Sequence, residues 1–414
     1  MPERAATCAG CGCGCDDIEV AVAAGGLERV TGTCQVGDAW FAERTADAPA
    51  VARVDGREVD FADAVEASAA ILGEARLPLV CGLGQTDCES QRAAVALAEA
   101  VGAVIDPAGP LLGAVAASSQ AIGLSTATFG DLRDRAELVV VWRADPVASN
   151  PRLLPRLRLD RAGRAADRTL VVVDAGRSAT AEEADEFIEL PPELDFEALW
   201  ALRALAREVP VDPNLAGQLP LDELGELAGR LRASRYGAVL HGPAGYADAL
   251  ALLALVRDLA RITHVVSLPL RQDGNARGAE DVLAWQTGYP SAVSFARGHP
   301  RARPGEFSAA GLLERAETDA ALIVGFDALR HLPPRAAGNL RRIPTIVVDR
   351  RSTETAAAAR VAFATATAGI EREGTAHRMD GVPVTLRAPL RSERVGDGEV
   401  LAAIEARIAG DEGT

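Results

Sequence analysis

Hydrophobic and polar positions change their period along the chain. In the first 34 residues they alternate. Ile18, Val20 and Val22 are apolar, Gly25–Gly26 permits a tight turn, and Leu27 and Val30 follow. Period-two patterning around a glycine turn predicts a short hairpin, here one that brings Cys34 back towards Cys8–Cys15. VGDAWFAE (36–43) then begins a helix. From about residue 75, short apolar runs take over at 78–84, 137–142, 169–174, 236–242, 264–269, 319–327 and 343–350. Strands apolar on both sides suit a parallel sheet covered by helices on both faces. Stretches 89–103, 246–261 and 400–409 carry apolar residues at helical spacing. Ser178 or Thr180 is placed to cap a further helix after the strand that ends at Asp174.

Strands alternating with helices predict an α/β fold with parallel sheets behind a small N-terminal cysteine-containing β domain. Three domains are expected: 1–60; 61–175, completed by 350–414; and 176–349. The stretch 270–310, rich in Gly, Pro, Arg and Asn, reads as a long irregular region that serves as a binding loop or an interface. VPVTLR near the end alternates, as a strand does. No short-period repeat or low-complexity tract stands out.

Composition narrows the function. The 414 residues are 48% apolar but only 4% aromatic, so the core is built from Leu, Val, Ile and Ala. Asp and Glu outnumber Lys and Arg by 59 to 43, a formal charge of −16. Such a chain repels nucleic acid and anionic membrane. No cationic segment followed by an apolar one opens the chain, and no run of 18 apolar residues occurs, so a cytoplasmic protein is expected.

All seven cysteines lie in the first 88 residues. Cys8, Cys11 and Cys15, with Cys34 brought back by the hairpin, offer four soft ligands on a glycine-rich loop. Four convergent thiolates suit an iron–sulfur cluster, and zinc accepts the same set. Free thiols on a relic loop are the bland alternative. Cys13 is a substitute ligand or a bystander. Cys81 sits in an apolar strand and reads as core. Cys88 precedes a helix whose dipole would favour its thiolate. The five histidines, His241, His264, His299, His331 and His377, are dispersed. No HxxxH, close Asp/His pairing, GxSxG, P-loop or clean GxGxxG is visible.

Beyond these local patterns, long stretches resemble the B subunit of formylmethanofuran dehydrogenase. They are CxxCxxxCDDIEV (8–20), TCQVGDAWF (33–41), 81–106, VVVWRADPVASNPR (139–152), 171–190, 285–306 and GTAHRMDGVP (374–383). The resemblance implies the molybdopterin-oxidoreductase fold, without the C-terminal barrel domain of larger members. It also implies a four-iron cluster at Cys8, Cys11, Cys15 and Cys34, and a tungsten or molybdenum bis-pterin beside it. The strand-end residues Asp174, Arg177, Ser178, Arg271 and Asn275 are the positions where that family meets the pterin nucleotides; here they are candidates for a vestigial site.

The departures from the family weigh as much as the matches. The family's metal-ligating cysteine, followed by His-Gly, comes just after the segment ending at Asp106. Here that stretch, VIDPAGPLLGAVAASSQ (104–120), has neither Cys nor His, and Ser118 and Ser119 lie past the position. A family His-Pro-Arg is replaced by Asn150-Pro151-Arg152. The family loop Arg-Gly-His-x-Asn reads Arg271-Gln272-Asp273-Gly274-Asn275. Without the metal ligand and its histidines, reduction at a metal lacks an inner ligand and an acid–base group.

These losses match a known branch of the family, found in the bacterial formyltransferase/hydrolase complex. The reading is a non-catalytic structural subunit of the complex that converts formyl-tetrahydromethanopterin to formate through formyl-methylofuran in one-carbon metabolism. Its implied partners are a zinc-dependent hydrolase, a formyltransferase and a C subunit. Pterin, tungsten and molybdenum are expected to be absent, and a [4Fe-4S] cluster is left open. The alternatives are an active tungsten or molybdenum dehydrogenase subunit and an iron–sulfur electron-transfer module.

Overall fold

A computed structural model describes residues 3–23, 26–43, 52–107, 113–242, 245–390 and 392–411. Gly25 of the expected turn, and residues 108–112 of the segment after Asp106, lie outside the described residues. The chain divides into two compact units. One is Met1–Gly113 with Asp273–Thr414, and the other is Ala114–Gln272.

In the first unit, nine strands form one mixed sheet. Its parallel centre runs Val104–Asp106, Pro78–Gly82, Ala320–Val324, Thr345–Asp349, Val361–Ala364. Antiparallel strands close both edges: Val293–Ser294 and Arg301–Ala302 on one side, Ala52–Val54 and Arg57–Val59 on the other. Successive residues of the central strands point to opposite faces. Val80, Leu322 and Val324 meet the helices Phe61–Glu74, Cys88–Ala100 and Asp397–Asp411. Leu79, Cys81 and Ile323 meet the helices Ala309–Glu314 and Pro334–Leu340 on the other face. That two-sided burial is why these strands read as uniformly apolar. The cysteine segment folds as the expected antiparallel sheet, Glu3–Cys8, Cys15–Ala23 and Gly26–Thr31, and a hairpin of Gly374–His377 with Pro383–Leu386 packs beside it.

The second unit is a five-stranded parallel sheet in the order Glu186–Glu189, Thr169–Asp174, Leu138–Trp142, Tyr236–His241, His264–Pro269. Helices Asp195–Ala206, Leu221–Ala233 and Tyr246–Leu259 build its core.

Two sequence expectations change here. The sheets cross the boundaries drawn at 175 and 349: Thr169–Asp174 pairs with Glu186–Glu189, and Thr345–Asp349 pairs with Val361–Ala364. Sheet neighbours belong to one core whatever their separation in the chain. The stretch 270–310 is also not wholly irregular. It holds the helix Ala276–Thr287, whose Ala276, Ala279, Val282 and Leu283 are buried.

The two units share an internal device. In the second, Asp145 Oδ1 accepts from Thr180 N at 3.1 Å and Thr180 Oγ1 at 2.6 Å, while Val147 N donates to Thr180 Oγ1. In the first, Asp327 Oδ1 accepts from Thr355 N at 3.1 Å and Thr355 Oγ1 at 2.6 Å, while Leu329 N donates to Thr355 Oγ1. The threonines lie six residues beyond Asp174 and Asp349, the last residues of equivalent strands. The strand–helix–strand segments around 138–189 and 320–364 are thus built to one plan.

Candidate functional site

The cysteine loop is closed by strand pairing. Cys8 ends one strand, Cys15 begins the next, and the two residues are paired across the ladder. Gly14 turns the loop with φ of +49°, a conformation that penalises a Cβ. Cys34 arrives as the N-cap of the helix Gln35–Ala42. Gly37 on that helix lets Cys8 in: a Cβ there would stand 3.1 Å from Cys8 Sγ. Cys8, Cys11, Cys13 and Cys15 are buried and Cys34 half-buried. Burial pushes the Cys8 thiol up to about 12, and the neighbouring thiols of Cys15, Cys11 and Cys34 add to the shift. The four sequence-expected ligands therefore form one electrostatic group. Among the described residues, no three or more His, Cys, Asp or Glu side chains stand together in a way that could hold a metal ion.

Beside the cysteine domain lies a charge that the sequence reading missed. The buried Arg350 pairs with Glu43 at 2.9 Å and stands 5.7 Å over the Trp40 ring, while its Nε and Nη1 lack partners. Burial, then the like charge of Arg351, holds its pKa below the usual guanidinium range.

The loop 271–275 reaches the cysteines through its glycine. A Cβ at Gly274 would fall 1.9 Å from the Ala9 carbonyl oxygen, so only glycine permits this approach. Asn275, 2% exposed, is a brace. Its Nδ2 donates to the Thr86 carbonyl at 2.8 Å, and its Oδ1 accepts from His377 N at 2.7 Å. Its own carbonyl accepts from Gln91 Nε2 at 3.1 Å. Asp273 accepts from Gln85 Nε2 at 2.8 Å. Cys88 starts a helix, yet burial lifts its thiol to about 11, which outweighs any help from the dipole.

Asp273 also borders a cleft at the carboxyl edge of the large sheet, together with Gly82, Gly84, Asp106 and Gly325. The adjacent strands Pro78–Gly82 and Ala320–Val324 send their next strands to opposite sides, so the loops diverge and leave a crevice. A Cβ on Gly82, whose φ is +102°, would lie 2.3 Å from the Val324 carbonyl. Cys81 is core: it is buried in its strand, which raises its pKa, and Asp106 adds to the effect.

In the second unit, Asp174 Oδ1 accepts from Ala175 N at 2.8 Å and faces Arg143 Nη1 at 3.3 Å. Arg143 itself binds Asp195 through Nε and Nη2 at 2.8–3.0 Å. Ser178 is the N-cap of Ala179–Glu183 and accepts from Ala181 N. Arg177 is exposed and stacks over Phe187 at 5.1 Å. Arg271, 2% exposed, donates to the Pro269 carbonyl at 3.1 Å, and its own carbonyl accepts from Asn150 Nδ2 at 3.1 Å. Asp174 and Arg271 follow strands three positions apart in this sheet, about 14 Å at normal strand spacing. They share an edge without converging.

The histidines are not all isolated. His377 Nδ1 lies 2.7 Å from Asp281 Oδ2, with Arg277 on the same carboxylate at 2.9 Å and Trp285 edge-on to the ring at 5.3 Å. The two partners are 96 residues apart, which is why no Asp/His pairing was visible in the sequence. His241 is buried, its Nε2 is unpaired, and burial lowers its pKa to about 4.

Against this geometry, comparison with known proteins is decisive. The chain is 34% identical, over 93% of its length and 93% of the relative's, to the B subunit of the tungsten-containing formylmethanofuran dehydrogenase 2 of Methanocaldococcus jannaschii. The chain belongs to the family of formylmethanofuran dehydrogenase B subunits. It is also 30% identical to the B subunit of the formyltransferase/hydrolase complex Fhc of Methylorubrum extorquens, over 65% of this chain and 73% of that one. Among solved structures, the formyltransferase/hydrolase complex FhcABCD of Methylorubrum extorquens, in complex with methylofuran, matches with a TM-score of 0.72. There the identity is 27%, covering 88% of this chain and 100% of that one. Acetylene hydratase from Pelobacter acetylenicus shares the fold at a TM-score of 0.71 and 13% identity, covering 99% of this chain and 70% of that one. No protein-family model matches the chain. The mixed α/β architecture with parallel sheets is thus that of the molybdopterin oxidoreductases.

The groups this family implies fit unequally. Cys8, Cys11, Cys15 and Cys34 are the soft donor type an iron–sulfur cluster requires, although among the described residues their side chains are not gathered into a group that could hold a metal ion. The residues that would meet a pterin do not fit as well. Asn275 spends both side-chain polar atoms on protein partners, and Asp174 Oδ1 and Ser178 Oγ accept from backbone N–H groups.

Proposed function

We propose that this chain is a structural, non-catalytic B subunit of a formyltransferase/hydrolase complex, assembled with formyltransferase, zinc-dependent hydrolase and C subunits. The complex would convert formyl-tetrahydromethanopterin to formate through formyl-methylofuran. The observation that carries this reading is the state of the loop 271–275. Where the family places a histidine, this chain has Asp273, hydrogen-bonded to Gln85, and Asn275 beside it is tied into the fold. The imidazole that the family would use for proton transfer is therefore replaced by a carboxyl held by Gln85. On this reading the chain carries no pterin and no tungsten or molybdenum centre. Cys8, Cys11, Cys15 and Cys34 would hold a [4Fe-4S] cluster where one is inserted, and it would supply one-electron transfer. Among the described residues no helix is long and apolar enough to cross a membrane.

A second reading has its own support. The dehydrogenase relative aligns over more of the chain than the Fhc relative does, 93% against 65%. That favours an active tungsten or molybdenum dehydrogenase subunit. Purifying the complex through a tag on this chain separates the readings. The structural-subunit reading expects formyl transfer and hydrolysis with no formate-dependent dye reduction. Dye reduction that disappears with this chain would overturn it.

A further inference from the structure

Aromatic side chains are scarce in this chain, at 4% of residues and with only four Trp. Two of them nonetheless stand in solvent on one helix of the second unit. Phe196 and Trp200 are 41% and 43% exposed, one turn apart on the helix Asp195–Ala206. The opposite side of that helix, with Ala198, Leu199, Ala201 and Leu202, already fills the core, so the outer stripe does not serve it. The stripe is also held still. The two rings meet edge-on with centroids 6.0 Å apart, and Arg203 lies over the Trp200 ring at 4.4 Å. The buried Asp258 clamps Arg203 in turn, accepting from its Nε at 2.6 Å. A pre-ordered aromatic pair loses little freedom on docking, and Trp and Arg dominate binding hot spots.

Charge along the stripe is ordered. Glu193 lies in the short turn of helix just before it and Arg207 just after it, both exposed. Positions 193, 196, 200, 203 and 207 recur every three or four residues, the spacing that keeps side chains on one helical face. The face therefore runs acid, aromatic, aromatic, base, base. Reversing its direction exchanges the acidic and basic ends and leaves Trp200 at the centre, because Glu193 and Arg207 stand seven residues to either side of it. The stripe is complementary to its own antiparallel copy. Glu193 balances Arg207, and Asp258 neutralises Arg203, so the stripe is near neutral, with Glu197 at its side, in a chain that carries −16. Copies that repel one another elsewhere meet here without that penalty, and antiparallel helices oppose their dipoles favourably.

We propose that the helix Asp195–Ala206 is a self-association surface, on which two copies of this chain pack antiparallel about a two-fold axis at Trp200, Glu193 of each facing Arg207 of the other. Phe196 then comes level with Arg203 of the second copy, where a guanidinium over an aromatic face adds a cation–π attraction. Such a contact uses the same patch on both copies and closes at two. A seam one helix long belongs to the small, reversible end of protein interfaces. A partner surface of one charge sign would leave one end of the stripe unmatched.

The test is sedimentation velocity of the full chain over a dilution series. The wild type is expected to pass from monomer to dimer as concentration rises. Glu193→Arg and Arg207→Glu each set like charges face to face at both ends of the seam, so each should weaken the dimer about tenfold or more. Both positions are exposed, so folding is not at stake. The double variant Glu193→Arg/Arg207→Glu should recover the dimer, because the two-fold axis pairs the exchanged charges again. Trp200→p-benzoylphenylalanine, photolysed in intact cells, should cross-link to the helix Asp195–Ala206 of a second copy. A chain that stays monomeric throughout overturns the proposal, and so does a dimer that ignores the single reversals or is not restored by the double one. Cross-links running only to a different protein assign the ridge to that partner and overturn it equally.

Discussion

Asn275 separates a brace from a relic of cofactor binding, and Asn275→Ala tests which it is. The side chain serves two buried backbone groups: Nδ2 donates to the Thr86 carbonyl at 2.8 Å, and Oδ1 accepts from His377 N at 2.7 Å. Alanine leaves both unpaired. Each such group costs about 1–3 kcal/mol, so the expected loss is about 2–6 kcal/mol. Urea unfolding reads the total, and amide exchange at His377 reads one bond by itself. The variant should unfold at markedly lower urea with an unchanged slope, and the His377 amide should lose protection. A stability change within about 0.5 kcal/mol, the usual size for an inert surface site, with the His377 amide still protected, would refute the brace. The Asn275 amide would then be available to a ligand.

Three further outcomes follow from the same geometry. Gly274→Ala drives a Cβ to within 1.9 Å of the Ala9 carbonyl, so it should cost about 1–3 kcal/mol, as overpacking does, and speed thiol labelling of the cysteine loop in the same protein. His241 has its pKa lowered from 6.5 to about 4 by burial, so the unfolded chain binds the extra proton between those values. Stability is then complete above 6.5 and falls by about 3 kcal/mol as pH drops to 4, a slope that urea titrations should find reduced in His241→Gln. In cluster-free protein, mass spectrometry after timed alkylation should find the half-buried Cys34 modified before the buried Cys8, whose thiol is held up to about 12; the reverse order would contradict the burial assigned to the loop.

The parallel sheets were legible because their strands are buried on both faces, and a short β-branched run such as Leu170–Val173 suits a buried strand. The helix Ala276–Thr287 carried its signal too, in Ala276, Ala279, Val282 and Leu283, but the glycines, arginine and asparagine around it resembled a loop. Unit boundaries were not legible. Val293 pairs with Ile105, and Val54 with Val361, so the large sheet is sewn from segments far apart in the chain. The grouping of Cys8, Cys11, Cys15 and Cys34 could be read from spacing and a hairpin, since all four lie within 27 residues. The Asp281–His377 pair could not, because it joins side chains that no local pattern relates. The candidate pterin residues Asp174, Ser178 and Asn275 illustrate a different limit. Their types suit a ligand and a cap equally, and only their partners distinguish the two.

The central claim is that this chain keeps the family's fold without its reacting metal centre. Elemental and pterin analysis of the anaerobically purified complex tests it most directly. The account predicts no tungsten, no molybdenum and no pterin, whether or not iron is found with the four cysteines. Stoichiometric tungsten or molybdenum with pterin in a complex containing this chain would contradict it.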